Sequence, residues 1–229
     1  MTRPAPPPPL DNLVPFALES VAAFDACYPV LAKMHLPNDQ RVNVALALLY
    51  GSLEQARSAS FLVGHDVHQS VFAALILFRS QIDQLMRAAF FAGPATAEEL
   101  EFYLAEDKLP SRNGNKLGPR SLSLINEAHF RWTPIGTVPA TVDSSWGVLS
   151  GMTHGGRALL NYYIGAEGIG AYPPNDDFVQ VVKNSVVLGH LAVATALSLA
   201  TNKESDELQT VLQAWFQAGH EFFGRWSTQ

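Results

Sequence analysis

Apolar residues recur at steps of three and four positions along most of this chain, the spacing that places them on one face of an α-helix. The longest such stretch covers residues 64–92. Asp66 is suited to cap its first turn and Gly93 to close its last, so the sequence predicts one helix that begins near Val67. We expect this helix to be central, because its apolar face is long and continuous. That face consists of Val71, Leu75, Phe78, Ile82, Leu85 and Ala89.

The same periodicity predicts further helices on both sides of the central one, separated by turns. No alternating strand pattern of useful length and no internal repeat occurs. The sequence therefore predicts an all-α fold, a multi-helix bundle of long antiparallel helices with extra short helices, in a single domain over residues 12–226. Residues 1–11 are rich in proline and are expected to form a disordered tail. Five of the other predicted helices cover residues 12–34, 40–63, 97–107, 120–130 and 177–200. A further helix is predicted to begin at Asp143, which would cap it. The final helix is rich in aromatic residues, is predicted to be capped by Thr201 with Glu204, and ends near Gly224.

Composition narrows the class of protein further. The 229 residues are 48% hydrophobic and 16% charged, which is enough to bury a sizeable core. The formal charge of −6 argues against a general nucleic-acid coat, and no DNA partner is expected. Cys27 is the one cysteine, which excludes an internal disulfide. The start of the chain lacks a signal-peptide pattern, and its most apolar stretch, 185–201, contains His190, so we predict a cytoplasmic protein without a membrane span.

Charged side chains of alternating sign follow one another along the central helix. Arg79 and Asp83, and again Asp83 and Arg87, stand four residues apart, the spacing at which side chains on a helix meet. One interpretation is a structural ion-pair ladder at the margin of the core. The other is a cleft in which the two guanidinium groups bind an anion such as phosphate.

A second polar cluster surrounds the double glycine at 155–156, which permits a helix break or a close backbone approach. His154 lies directly before the two glycines and is the best candidate for proton transfer. A histidine that is hydrogen-bonded within the core is the competing interpretation. If Asp83 reached this imidazole, the carboxylate could orient it. The other members of the cluster are Trp146, Thr153 and Arg157.

His65 and His68, three residues apart at the start of the central helix, form a third cluster. Asp66 and Asp83 could add oxygen ligands for a metal ion. However, the paired Glu-x-x-His motifs of di-iron bundles are absent, and the neighbouring arginines would repel a cation. We therefore predict no metal and no other cofactor, and consider the two histidines as binding residues. The basic loop at 109–120 is open to two interpretations, solvated charges or a loop that touches phosphate.

Four motifs in this order resemble a known family: G-H-x-x-x-Q-S at 64–70, L-F-R-S-Q-I-D-Q-L-M-R-A at 77–88, T-A-E-E-L-E at 96–101 and W-G-V-L-S-G-M-T-H-G-G at 146–156. Over residues 40–200 the chain resembles a group of uncharacterised bacterial helical proteins that is distantly similar to the HEPN superfamily. That superfamily includes metal-independent ribonucleases of toxin–antitoxin and phage-defence systems, which are usually dimeric and carry an R-x4-6-H motif. Residues 147–149, where the motif would place its arginine, are Gly, Val and Leu. The resemblance therefore implies that the arginine partner of His154 is Arg157, Arg79 or Arg87.

Two classes of function follow. The first is a non-enzymatic HEPN-like module in bacterial defence or stress response that binds RNA or interacts with protein. As an interaction module it forms a homodimer or binds a partner through the apolar surface of its aromatic-rich final helix. The second is a metal-independent endoribonuclease in which His154 moves a proton while Arg79, Arg87 or Arg157 holds a phosphate. A bundle that binds a small molecule or metal is a third interpretation. Convergence of the arginine and histidine in a cleft would favour RNA chemistry, whereas an exposed apolar patch on the final helix would favour the module.

Overall fold

The structure, a computed structural model, describes residues 13–132, 134–165, 168–169 and 175–226. Within these residues helices make up most of the chain and pack against one another, so the predicted all-α bundle is confirmed. The helices are α1 (Leu13–Asp25), α2 (Cys27–Ala32), α3 (Gln40–His65), α4 (Val67–Ala92), α5 (Ala97–Glu106), α6 (Pro119–Phe130), α7 (Thr137–Thr153), α8 (Arg157–Tyr163), α9 (Asn175–Leu199) and α10 (Asp206–Trp226). Two short antiparallel hairpins pair β1 (Ser111–Arg112) with β2 (Asn115–Lys116) and β3 (Ile164–Gly165) with β4 (Gly168–Ile169).

The centre of the bundle is the antiparallel pair α3 and α4, which a single residue joins. Asp39 accepts a hydrogen bond from the backbone N–H of Val42 at 2.9 Å, and Asp66 accepts one from Gln69 at 3.2 Å. These carboxylates satisfy backbone donors that have no partner inside the helix. The predicted central helix is therefore present with its predicted start and end, and α9 packs across both members of the pair.

The first predicted helix is divided in two. The sequence analysis predicts one helix over 12–34, whereas the structure breaks it at Ala26 into α1 and α2. Pro29 explains the break, because its ring nitrogen cannot donate to the carbonyl of Asp25 and its ring would clash there.

Two other predicted helix starts are wrong. Helix α7 begins at Thr137, and Asp143, the predicted cap, lies inside it and pairs with Arg120 at 2.7 Å. Pro139 permits the early start, because the first turn of a helix needs no N–H there. Thr201 does not cap the last helix either.

Instead, Thr201 binds the carbonyl oxygen of His35 with both its N–H and its hydroxyl, at 2.8 and 3.0 Å. The cap of α10 is supplied by Ser205, whose hydroxyl accepts from Leu208 N–H at 3.4 Å. A long-range partner has thus taken the place of the predicted local one.

The segment 109–120 is not wholly irregular. Its β1–β2 hairpin turns at Asn113 and Gly114, which both have positive φ, 51° and 77°. That combination defines a type I′ turn, and Asn-Gly is its usual sequence. Each strand of this hairpin has two residues, so the predicted loop contains a short hairpin and the fold class is unchanged.

Two stretches, Leu13–Ala32 and Gln180–Leu199, are long and apolar enough to cross a membrane by length and composition alone. The first is interrupted at Ala26, and the second packs against α3 and α4. A core helix of a soluble protein and a signal sequence meet the same criterion, so these lengths do not assign a location. The predicted tail at 1–11 and most of the glycine-rich connector at 165–174 lie outside the described residues.

Candidate functional site

Arg79 of α4 and His154 at the end of α7 meet although 75 positions separate them. The guanidinium Nη2 lies 3.4 Å from the imidazole Nε2. A guanidinium can only donate, so Nε2 is the acceptor here and the imidazole proton lies on Nδ1. The distance is at the long end of the hydrogen-bonding range, which makes this a weak contact. The structure therefore joins one arginine of the ladder to the histidine beside the double glycine.

Trp146 holds the guanidinium from a second side. The Cζ atom of Arg79 lies 4.6 Å from the centroid of the indole ring, within the range of a cation–π interaction. Arg79 is half-buried, and its Nε has no hydrogen-bond partner among the described residues. An unpaired buried donor on a charged group is costly, so a second ligand for this guanidinium would be stabilising.

The helix end explains the position of the imidazole. His154 is the C-cap of α7 and is exposed, and Gly155 adopts the left-handed region at φ 70°. Gly156 N–H then donates to the carbonyl of Gly151 at 2.7 Å. A Cβ on Gly156 would lie 3.0 Å from that same oxygen, so a side chain there would press on the backbone of the turn. Thr153, a predicted site residue, instead donates its hydroxyl to Leu149 O at 2.9 Å inside the helix.

The predicted ladder on α4 is not continuous. Asp83 and Arg87 form an ion pair with Oδ2 and Nε 2.9 Å apart and about a quarter of each side chain exposed. Burial lowers the pKa of Arg87, but the charge of Asp83 and the hydrogen bonds that Arg87 donates to Asp83 and Tyr103 outweigh it and raise the pKa overall. Among the described residues no ion pair joins Arg79 to Asp83, and no contact joins Asp83 to His154.

The ladder therefore divides between two neighbours. Arg79 turns towards α7, while Arg87 turns towards Tyr103 of α5. The sequence contains no signal for Tyr103, because its proximity depends on how α5 folds back on the end of α4.

The remaining predicted residues stand apart from this pair. His65 donates its Nδ1 proton to Phe61 O at 3.0 Å and stacks on that ring. His68 lies exposed in the first turn of α4, and Arg157 is exposed at the start of α8. Within the described residues no hydrogen bond or ion pair joins Arg157 to Arg79 or His154. The same residues contain no group of three side chains arranged to hold a metal ion.

The basic side chains of the loop at 109–120 are explained by ion pairs within the fold. Arg112 binds Glu99 through Nε and Nη2 at 2.6 and 2.7 Å and donates to Pro94 O at 2.9 Å. The hydrogen bond from Arg112 is the main reason that the pKa of Glu99 is lowered. Arg120 pairs with Asp143 at 2.7 Å. Two of the three basic side chains in this loop are thus committed to ion pairs within the fold.

Taken together, Arg79, Trp146 and His154 form an open corner between α4 and α7, which we call the Arg–His corner. The guanidinium is always charged, and both side chains can donate N–H groups to an anion. Because His154 is exposed, an anion can approach from solvent. Comparison of the chain with protein-family models, with curated proteins and with solved structures finds no match.

Proposed function

We propose that this chain is a HEPN-like helical-bundle protein that binds RNA by holding a backbone phosphate at the Arg–His corner. The observation that carries the proposal is the approach of Arg79 Nη2 to His154 Nε2 at 3.4 Å. Guanidinium and imidazole groups are common ligands of phosphate, and a charge-assisted hydrogen bond is stronger than a neutral one. A phosphate would also pair the half-buried guanidinium more strongly than the long contact to the imidazole does.

Single-stranded RNA is the form of nucleic acid that suits the corner. Exposed bases stack on aromatic rings, and Trp146 lies beside the proposed phosphate position. The protein carries a net charge of −6, so attraction is local and a few phosphate contacts are expected rather than a broad basic surface. The binding should therefore weaken strongly as salt is added.

The alternative of a docking surface on α10 has less support. Its apolar side packs into the core, with Leu208, Leu212 and Phe222 buried. Phe216, at 59%, is the large apolar side chain of this helix that is strongly exposed in the described residues. One aromatic ring is small beside the apolar patches that mark protein interfaces.

Endoribonuclease activity is the second candidate, because an exposed imidazole and a fixed cation share the corner. His154 Nε2 would accept the proton of a ribose 2′-hydroxyl as that oxygen attacks the adjacent phosphorus. The bond from phosphorus to the 5′-oxygen would break, and the proton would pass to that leaving oxygen. The products would be a 2′,3′-cyclic phosphate and a 5′-hydroxyl end, with Arg79 balancing the charge on the phosphate in between.

Fluorescence anisotropy with a labelled 12-nucleotide single-stranded RNA tests the binding proposal. We expect Arg79→Ala to weaken binding by about tenfold at low salt, the size of one charge-assisted phosphate contact. Arg79→Lys should recover part of the loss. Arg57→Ala removes an exposed arginine that pairs with Asp25 and should leave the affinity unchanged. Equal losses in Arg79→Ala and Arg57→Ala would refute the Arg–His corner as the binding site.

Cleavage is tested separately with the same RNA in excess chelator. The nuclease candidate predicts cyclic phosphate ends with the wild-type protein and none with His154→Ala or Arg79→Ala. If both variants bind less but the wild-type never cuts, the protein is a binding module. Equal cleavage by wild-type and His154→Ala would identify a contaminant or another site.

The homodimer that the resemblance implies and the cytoplasmic location that the sequence patterns indicate stay predictions. Sedimentation equilibrium of the purified chain tests the first, and a fluorescent fusion in bacterial cells tests the second. Neither outcome alters the test of the Arg–His corner, because Arg79 and His154 belong to one chain.

A further inference from the structure

A pocket of about 180 Å³ opens between α1 and α10, away from every residue of the Arg–His corner. Its walls are mostly small side chains: Ala22 and Ala23 on α1, with Ala26 directly after it, face Ala218 and Gly219 on α10. Small residues leave space between two helices that larger ones would fill. His190 of α9 closes the floor together with Trp215, on which its ring stacks at 4.8 Å.

The imidazole of His190 carries an available acceptor. Its Nδ1 lies 3.0 Å from Val186 O, and a carbonyl can only accept, so the proton lies on Nδ1. Nε2 then has a lone pair, and no described residue donates a hydrogen bond to it. Burial lowers the pKa of His190, so the ring stays neutral and Nε2 keeps its lone pair at pH 7.

Gly219 places this nitrogen beside the pocket. A Cβ built on Gly219 would lie 2.8 Å from His190 Nε2, which is shorter than the van der Waals contact distance of a carbon and a nitrogen atom. Because both residues line the pocket, the glycine leaves Nε2 within reach of a molecule inside it. His190 Nε2 is thus an acceptor among mostly apolar walls, with the charged pair Glu19 and Arg225 also in the lining, and a few polar groups in an apolar pocket are the usual composition of a small-molecule site.

The size of the cavity limits its ligand. A cavity of about 150 Å³ accommodates benzene, whereas drug-sized ligands need roughly 300 Å³ or more. We propose that the pocket binds a single-ring aromatic molecule with one O–H or N–H donor, the class represented by phenol, which donates to His190 Nε2. The ion pair of Glu19 and Arg225, 3.0 Å apart, stands at the rim and confines polar substituents to that end.

Phenol and toluene form a matched pair of probes, because they have equal numbers of heavy atoms and only phenol can donate. A purely apolar cavity would favour toluene, since removal of the hydroxyl from water is costly. Isothermal titration calorimetry of the full chain should show phenol binding about three- to tenfold more tightly than toluene, the effect of one net hydrogen bond. In His190→Phe the order should reverse, while the melting temperature confirms that the variant is folded.

Ala218→Leu provides a second test that leaves the core intact, since position 218 is exposed on α10. Its longer side chain should fill the pocket and abolish binding of phenol. Absence of phenol binding to the wild-type, or a preference for toluene, would overturn the proposal. So would phenol binding that Ala218→Leu retains, even if His190→Phe fails to fold.

Discussion

Gly189 shows how closely single atoms determine the packing of this bundle. A Cβ at this position of α9 would lie 2.5 Å from Cε1 of Phe24, a ring that is 1% exposed. The buried ring has no solvent to move into, so the methyl group would force α1 and α9 apart.

We therefore expect Gly189→Ala to lower the free energy of unfolding by about 1–3 kcal/mol, the cost of overpacking a core. Gly147→Ala is the matched control, because its Cβ would meet Arg120 Nη2 at an ordinary 3.7 Å. A glycine inside a helix is less favourable than alanine, so this control should gain up to about 1 kcal/mol. Urea unfolding measures both, and equal effects of the two changes would contradict the packing argument.

His190 makes stability depend on pH. Burial lowers its pKa in the folded chain, so below the unfolded value of about 6.5 the unfolded chain binds more protons. The free energy of unfolding should fall as pH drops from about 6.5 through the lowered folded pKa, by at most about 1.4 kcal/mol per pH unit. Glu19 and Arg225 line the same pocket, and their opposite charges largely cancel at the ring.

The measurement is urea unfolding of the wild-type and His190→Phe between pH 4.5 and 7.5. The difference between the two curves isolates this histidine from the six others in the chain. A difference that does not change with pH would show that His190 titrates alike in the folded and unfolded chains.

At the scale of elements, α5 is held by a capping box that extends into the neighbouring hairpin. Thr96 N–H donates to Glu99 Oε2 at 2.9 Å, and Glu99 N–H donates to Thr96 Oγ1 at 3.2 Å. The same carboxylate binds Arg112 of β1 and has only 14% of its side chain exposed. One glutamate thus starts a helix and attaches a hairpin to it.

Glu99→Gln should lower the free energy of unfolding by roughly 1.5–3 kcal/mol, the range for hydrogen bonds to a charged group. Because the pKa of Glu99 is lowered, its contribution is present above the unfolded pKa and is lost as pH falls through the folded pKa. Glu101→Gln, an exposed change on the same helix, serves as control. Thermal unfolding at pH 7 and pH 3 should show a difference between the two variants that is larger at pH 7 than at pH 3.

At the scale of the molecule, a buried polar network connects helices that are distant in sequence. Gln81 of α4 donates to Ser185 O of α9 at 2.8 Å and accepts from Ser185 Oγ at 2.6 Å. Ser52 of α3 donates to the carbonyl of Gln81 at 3.1 Å. Each of these three residues is at most 1% exposed, so the bonds fix how the three central helices align.

Ser185→Ala would leave Gln81 Oε1 buried without its donor, and should cost about 1–3 kcal/mol of unfolding free energy. Ser60→Ala is a matched control, because the buried hydroxyl of Ser60 has no hydrogen-bond partner among the described residues. That change should be neutral or stabilising. Chemical denaturation compares the two, and a Ser60→Ala variant as unstable as Ser185→Ala would argue against the network.

Much of the fold could be predicted because its signals are local. The start of α4 at Val67 and the capping box of α5 depend on residues three or four positions apart, so both can be recognised in the sequence. The break at Ala26 has a local cause as well, because Pro29 lacks the N–H that would bind the carbonyl of Asp25.

The contacts of the candidate site could not be predicted in the same way, because they join residues far apart in sequence. Asp83 stands four residues after Arg79 and four residues before Arg87, so local spacing favours an ion pair with either arginine equally. Packing of α7 on α4 offered Arg79 an aromatic face and an imidazole instead, 75 positions along the chain. Thr201 likewise exchanged a local cap for the carbonyl of His35. Periodicity and caps establish which segments are helices, because their energies arise within one turn. Which side chains meet is settled by the burial of whole helix faces, and that free energy is shared among segments far apart in sequence.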